Sequence, residues 1–149
     1  MNIVVATDGS EAAIGAARRS MDLLRPGAQV VLVVVIPEYE DPMQDAGGLE
    51  GPSISYERAE KDWKKATAEG QSALDRTAAV LGPDVEARLL PDDQMPGPAI
   101  VRAAHEMDAD VLVIGASNRG WLSRHLGGSV SDYVVHHAPC PVMLVRHDH

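Results

Sequence analysis

Short, continuously apolar runs recur along the chain. Four of them are rich in Val, Ile and Leu and lie at Ile3–Ala6, Val30–Ile36, Val111–Ile114 and Val142–Val145. Runs that are apolar at consecutive positions are typical of parallel strands covered on both faces, whereas a half-exposed strand alternates. A fifth run, Val85–Leu90, does alternate, and this predicts a strand at the edge of a sheet.

The segments between these runs have helical character. Helices are predicted at Glu11–Leu24, Glu57–Leu81, Pro98–Met107 and Ser129–His137, and Gly or Pro residues follow the first, second and fourth closely. Strand and helix thus alternate four times before a final strand, which predicts an α/β fold with a parallel sheet and helices on both faces. The connection Pro37–Ser55 has three prolines, three glycines and five acidic residues, so we expect a long, mobile surface loop there, with a lid over a site as the alternative.

The composition is that of an ordinary globular protein, with 45% hydrophobic and 23% charged residues among 149. A chain of about 150 residues is expected to form one domain, here residues 1–149. The formal net charge of −9 disfavours contact with phosphate backbones and anionic membranes, so neither nucleic acid nor a membrane is an expected partner. A single cysteine, an N-terminus unlike a leader peptide and the lack of any apolar run approaching about 20 residues predict a cytoplasmic protein.

The most informative segment follows the fourth predicted strand along the chain and extends from Gly115 to Asp132. It is rich in glycine and serine and leads into the last predicted helix. Glycines allow backbone amides to approach an anion closely, and free amides at a helix start such as Gly128-Ser129 favour phosphate. The alternative is a glycine-rich connection in which Ser129 is a simple N-cap, and spacing alone does not separate the two interpretations.

Three ordered landmarks stand along the chain. It opens with Ile-Val-Val-Ala-Thr-Asp-Gly-Ser from position 3 and closes with His-Ala-Pro-Cys-Pro-Val-Met-Leu-Val from position 137. Between them, Gly115, Gly128 and Ser129 match a motif of Gly, two residues, Gly, nine residues, then Gly followed by Ser or Thr. Together these landmarks resemble the universal stress protein family over essentially the whole chain. Asn118 replaces the second glycine of the motif; asparagine tolerates positive φ, but its side chain could crowd a phosphate.

The resemblance implies a doubly wound, flavodoxin-like fold of five parallel strands in the order 3-2-1-4-5. It also implies a homodimer, here through the apolar last strand Val142–Val145, and ATP bound at the carboxyl ends of the strands. Adenosine would lie near Asp8 and Val35, phosphates would lie over the glycine-rich segment, and Mg²⁺ could accompany them. The residues expected to contact the nucleotide are Ala6, Thr7, Asp8, Val35, Ile114, Gly115, Ser117, Asn118, Gly128, Ser129, Val130 and Ser131.

The expected function is therefore that of a stress-response or regulatory protein that binds ATP. The branch of the family without ATP supplies the alternative, a nucleotide-independent dimeric interaction module. Asp8 also has an alternative role, because Asp8 or Ser10 could simply cap the helix that follows. The sequence shows no acid–base pair and no activated nucleophile, so no catalytic residue is predicted and slow ATP hydrolysis is the most we expect. No metal site formed by protein side chains is predicted, and Cys140, between two prolines, is expected to be structural.

Overall fold

A computed structural model describes residues 1–39, 53–92, 95–116 and 130–146 of the chain. Within these ranges five strands and four helices alternate. The strands are β1 (Asn2–Ala6), β2 (Gln29–Pro37), β3 (Glu86–Asp92), β4 (Val111–Ala116) and β5 (Val142–Arg146), and the helices are α1 (Glu11–Leu23), α2 (Ser53–Leu81), α3 (Pro96–Glu106) and α4 (Val130–His137). None of the helices in the described part of the chain has both the length and the apolar character needed to span a membrane.

All five strands pair in parallel in one sheet with the order β3-β2-β1-β4-β5, which confirms the predicted doubly wound fold. At the centre of the sheet, Ala6 of β1 lies between Val33 of β2 and Ile114 of β4. The strand order reverses at β1, since β2 and β3 lie on one side of it and β4 and β5 on the other. In open sheets of this kind, ligands bind beyond the carboxyl ends of the strands at the point of reversal.

Alternate residues of the central strand pack against different helices. Ile3 and Val5 belong to one buried cluster, with residues of α1 and α2. Val4 and Ala6 belong to a second, with residues of α3 and α4. Because β1 is covered on both faces, all of its central positions are apolar, which is the pattern that predicted it.

The two edges of the sheet correspond differently to their sequence patterns. β3 lies at one edge, as its alternating pattern predicted. β5 lies at the other, although its run is continuously apolar, and Leu144 within it is 44% exposed. The apolar pattern of β5 therefore does not reflect burial on both faces by the described elements.

The structure corrects several element boundaries. α2 begins at Ser53 rather than at Glu57, because the residues at 53–56 include no Gly or Pro to stop it. The predicted loop Pro37–Ser55 is accordingly wrong at both ends, since Pro37 belongs to β2; residues 40–52 lie outside the described ranges. α3 begins at Pro96, because proline is tolerated in the first turn of a helix.

Candidate functional site

The turn of residues 7–10 joins β1 to α1 at the carboxyl end of the sheet. The amide of Thr7 donates to the carbonyl of Val33 at 3.0 Å, which continues the pairing of β1 by one residue. Ser10 is the N-cap of α1, and its Oγ accepts from the amide of Ala13 at 3.1 Å. This confirms the capping role considered for Ser10, whose hydroxyl satisfies an amide that the helix start leaves free.

Asp8 lies in this turn and is half-buried. Its Oδ1 accepts from the amide of Ser10 at 2.9 Å, so the carboxylate is held in a fixed orientation. Within the described residues, Oδ2 of Asp8 accepts no hydrogen bond. Asp8 is therefore not the cap of α1, which is Ser10. Its bond within the turn is compatible with the ligand-binding role, because one oxygen serves the turn and the other is left for a donor outside it.

Thr7 directs its side chain into the protein, where the residue is 2% exposed. Its Oγ1 accepts from the amide of Gly9 at 3.1 Å and lies 3.1 Å from Oγ1 of Thr77 in α2. The hydroxyl of Thr7 is therefore committed to internal bonds. A nucleotide contact at this position, which remains a prediction, would have to use the carbonyl of Thr7.

Two glycines bring the carboxyl ends of β1 and β4 close to neighbouring helices. Gly9 has φ +76°, and a Cβ there would lie 2.6 Å from Cβ of Ala73 in α2, so both the backbone and the packing require glycine. Gly115 has no positive φ, and a Cβ there would lie 3.3 Å from Cβ of Ala16 in α1. The side-chain position of Gly115 thus faces a helix, and any contact with phosphate would come from its backbone.

Four of the predicted contact residues come together beside the sheet. Ala6, Ile114 and Val130 are buried in one apolar cluster, and Val35 is partly buried against it. These residues belong to β1, β4, α4 and β2, so the fold unites segments distant in sequence. Of the four, Val35 has the accessible apolar surface that a base ring could cover.

The backbone of Val35 has a second property that the strand register defines. Along a strand the N–H and C=O groups of successive residues point to opposite neighbours. The amide of Gln29 donates to the carbonyl of Met1 at 2.9 Å, and the carbonyl of Val33 accepts from the amide of Thr7. The backbone N–H and C=O groups of the odd-numbered residues of β2 therefore point toward β1. The register of β1 ends at Ala6, opposite Val33. Val35 therefore directs one donor and one acceptor past the end of β1, into the space where a ligand is expected.

The phosphate side of the predicted site is only partly covered by the structure. Gly115 ends β4 together with Ala116, and Ser131 is partly buried in the first turn of α4. The predicted contacts that lie outside the described residues are Ser117, Asn118, Gly128 and Ser129. The phosphate loop therefore stays a prediction from the sequence.

Sequence reasoning missed two polar contacts at this end of the sheet. Thr77 reaches Thr7 across 70 positions, and Asp92, 7% exposed at the end of β3, accepts from Nη2 of Arg102 at 2.5 Å. The predicted strand ended at Leu90, whereas β3 continues to Asp92. Asp92 therefore lies on the same face of the strand as Leu90, which the prediction did not include. For Thr77 the only signal was a threonine in an alanine-rich helix, which does not identify a partner.

Cys140 lies in the turn before β5 and is partly buried. Burial is the main cause that raises the pKa of its thiol, and the nearby charge of Asp110 raises it further, against a hydrogen bond with the backbone of Leu112 that lowers it. A raised pKa reduces the fraction of reactive thiolate. This environment supports a structural role for Cys140.

Comparison with known proteins agrees with this architecture. Residues 1–146 match the model of the universal stress protein family. A universal stress protein of Staphylococcus aureus strain USA300 is 31% identical, over 97% of this chain and 83% of the relative. The chain belongs to the universal stress protein family.

Solved structures of the family share the fold. The universal stress protein from Archaeoglobus fulgidus in complex with dAMP is 27% identical, with a TM-score of 0.59 over 97% of this chain and 96% of that chain. A universal stress protein in complex with cAMP is 24% identical, with a TM-score of 0.62 over 99% of this chain and 98% of that chain. At 24% identity, the likeness to the cAMP complex shows a shared fold alone.

Proposed function

We propose that this protein binds an adenine nucleotide at the carboxyl ends of β1, β2 and β4 and acts as a cytoplasmic regulatory protein in a stress response. The observation that carries the proposal is the fixed carboxylate of Asp8 at the reversal of strand order. One oxygen of this carboxylate can accept a hydrogen bond from a ribose hydroxyl. The relative from Archaeoglobus fulgidus, solved with dAMP, supports the same class of ligand, since dAMP keeps the 3′-hydroxyl.

The backbone of Val35 supports adenine as the base. Adenine presents a donor at N6 beside an acceptor at N1, which complements a carbonyl and an amide that point in the same direction. Guanine presents an acceptor at O6 beside a donor at N1. In the same orientation its O6 would meet the carbonyl and its N1–H would meet the amide, and neither pair can form a hydrogen bond. The partly buried side chain of Val35 adds an apolar surface for the ring.

Binding of AMP and GMP, measured by titration calorimetry, tests the proposal. We expect AMP to bind and GMP to bind far more weakly. Asp8→Asn should weaken AMP binding by about ten- to a hundredfold, because it removes the charge from a hydrogen-bonded acceptor. No binding of AMP at millimolar concentration would favour the nucleotide-independent interaction module instead.

Ser10→Ala is the matched control for Asp8→Asn. It removes the N-cap of α1 and should lower the free energy of unfolding by about 1 kcal/mol. It leaves the Ser10 amide, and therefore the bond that holds Asp8, in place. Affinity for AMP should consequently change little, and a loss equal to that of Asp8→Asn would show that the carboxylate acts only through the turn.

ATP is the nucleotide that the glycine-rich segment at 115–132 favours, with Mg²⁺ as the companion of its phosphates. Denaturing the protein as purified from cells and separating the released nucleotides identifies what it carries. We expect ATP to bind more tightly than AMP. Equal affinities for ATP and AMP would contradict the placement of the phosphates over this segment, and equal ATP affinities with and without Mg²⁺ would contradict a role for the ion.

A homodimer through β5 completes the proposal. β5 is an edge strand, and Leu144 in β5 and Val135 in α4 are 44% and 50% exposed. An edge with unpaired backbone groups and apolar side chains is suited to pairing with a second copy. Light scattering after gel filtration should give twice the chain mass, and Leu144→Glu should give a monomer; a monomeric wild-type chain would contradict the dimer.

A further inference from the structure

We infer that Thr77 of α2 is a positioning residue of the nucleotide site, because it holds the turn that carries Asp8 through a buried chain of hydroxyl hydrogen bonds. The inference rests on the proposed function for its consequence, although the chain itself is a property of the protein without ligand. Thr77 is 0% exposed and its Oγ1 lies 3.1 Å from Oγ1 of Thr7. Thr77 can therefore affect nucleotide binding without contacting the nucleotide.

The direction of each hydrogen bond follows from counting protons. The hydroxyl of Thr77 donates to the carbonyl of Ala73, one turn back in α2, at 2.8 Å. A hydroxyl has one proton, so Thr77 must accept in its contact with Thr7, and Thr7 must donate. The oxygen of Thr7 then accepts from the amide of Gly9 at 3.1 Å. The chain therefore runs from Gly9 through Thr7 and Thr77 to Ala73, with every donor matched to one acceptor.

This chain fixes the residue between its first two members. Asp8 stands between Thr7 and Gly9, and its own carboxylate is bonded to the amide of Ser10. Gly9 also packs directly on Ala73, where a Cβ would lie 2.6 Å from that side chain. The turn is thus attached to α2 by one packing contact and one hydrogen-bond chain. Both end at Ala73.

Loss of the Thr77 hydroxyl would act on the turn through Thr7. Without its acceptor, the proton of Thr7 is left unsatisfied in a buried position, which is costly. Rotation of the Thr7 hydroxyl toward another acceptor would weaken the bond from Gly9. Asp8 would then lose the fixed orientation that favours binding, although no group that touches the ligand has changed.

The test compares Thr77→Val with Thr67→Val. Both threonines lie in α2 and both hydroxyls donate to the carbonyl four residues back, with Thr67 bonded to Trp63 at 2.9 Å. Within the described residues, Thr67 makes no second bond, so its substitution reproduces the helix effect without the link to the turn. Thr77→Ser keeps the hydroxyl and should restore the wild-type behaviour.

Two measurements are made on each variant. Calorimetry with AMP should show a dissociation constant about five- to tenfold higher for Thr77→Val, with Thr67→Val and Thr77→Ser within about twofold of wild type. Amide hydrogen exchange by NMR on the protein without nucleotide should show faster exchange at Gly9 in Thr77→Val alone. Unchanged exchange at Gly9, or an equal effect of Thr67→Val, would overturn the inference.

The two readouts separate the inference from the proposed function. If the wild-type chain binds no AMP, the proposed function fails, and exchange at Gly9 alone decides whether Thr77 holds the turn. If AMP binds and Thr77→Val changes neither readout, the inference fails and the proposed function stands. Should Thr77→Val not fold, Thr77→Ser and Thr77→Ala give the same comparison, since they differ only in the hydroxyl oxygen.

Discussion

The carboxyl ends of β1 and β4 lie side by side at the centre of the sheet, yet they are held in different ways. The β1 end is held by hydrogen bonds, from the amide of Gly9 to Thr7 and from the amide of Ser10 to Asp8. The β4 end is held by apolar packing, with Ile114 in a cluster with α3 and α4, and with Gly115 against α1. Gly9 at the β1 end also packs closely on Ala73 of α2. The β1 end should therefore be sensitive to backbone conformation, to single polar atoms and to volume added at Gly9, whereas the β4 end should be sensitive to side-chain volume.

The largest expected effect is at Gly9. Gly9→Ala combines a left-handed backbone at φ +76° with a Cβ placed 2.6 Å from that of Ala73. Chirality alone costs about 1–2 kcal/mol, and overpacking about 1–3 kcal/mol more. We expect urea denaturation to show a loss of about 2–5 kcal/mol in the free energy of unfolding.

Gly27 provides the control for this substitution. Its φ is +83°, but a Cβ there would meet no atom within 4 Å. Gly27→Ala should therefore cost only the backbone contribution, about 1–2 kcal/mol. Equal losses at the two glycines would show that close packing of the β1 end on α2 is not what Gly9 provides.

A smaller effect is expected at Gly115, on the β4 side of the comparison. A Cβ there would lie 3.3 Å from Cβ of Ala16, which is tight but requires only a small shift. Gly115→Ala should cost less than about 1 kcal/mol and Gly115→Val about 1–3 kcal/mol, measured by urea denaturation. In an Ala16→Gly background the cost of Gly115→Ala should fall; an unchanged cost would mean that contact with α1 does not limit this position.

The smallest expected effect is at Cys140, which packs against the same apolar cluster as Ile114 and Val130. Because burial raises the pKa of its thiol, alkylation at mildly alkaline pH should be slower in the folded protein than in urea. In the unfolded chain the Cys140 thiol ionises at lower pH than in the folded protein. The free energy of unfolding should therefore decrease as pH rises through the ordinary range of a thiol pKa. Equal alkylation rates would indicate that the apolar cluster opens readily around Cys140, at the amino end of β4 and β5. The chain has one cysteine, so the assay reports one site.

The sequence predicted much of the β1 end and less of what supports it. The motif Thr-Asp-Gly-Ser identified the turn and a cap at Asp8 or Ser10 for the alanine-rich helix that follows, and the structure assigns the cap to Ser10. The same motif gave no indication that Thr7 turns inward or that Gly9 lies on α2. These facts depend on a helix that begins more than 40 residues later, at Ser53.

At the β4 end, too, the sequence predicted the element but not its packing. Its apolar run and the glycine after it predicted a central strand followed by a turn, and the family resemblance gave that glycine a role beside phosphate. The structure places Gly115 inside the strand and its side-chain position against Ala16. A glycine that a motif marks for a ligand can thus also be required by packing, and sequence spacing cannot distinguish the two.

The order of strands and helices, the parallel sheet and a helix cap at Asp8 or Ser10 were determined by the sequence, because periodicity and capping depend on residues close together in the chain. Tertiary structure decided that Thr77 meets Thr7 and that Asp92 meets Arg102, because these contacts depend on which side of each helix faces the sheet. It also decided that the donor and acceptor of Val35 pass the end of β1, since that follows from where two strands come into register. Local patterns specify elements, whereas a site assembled from several elements requires their packing.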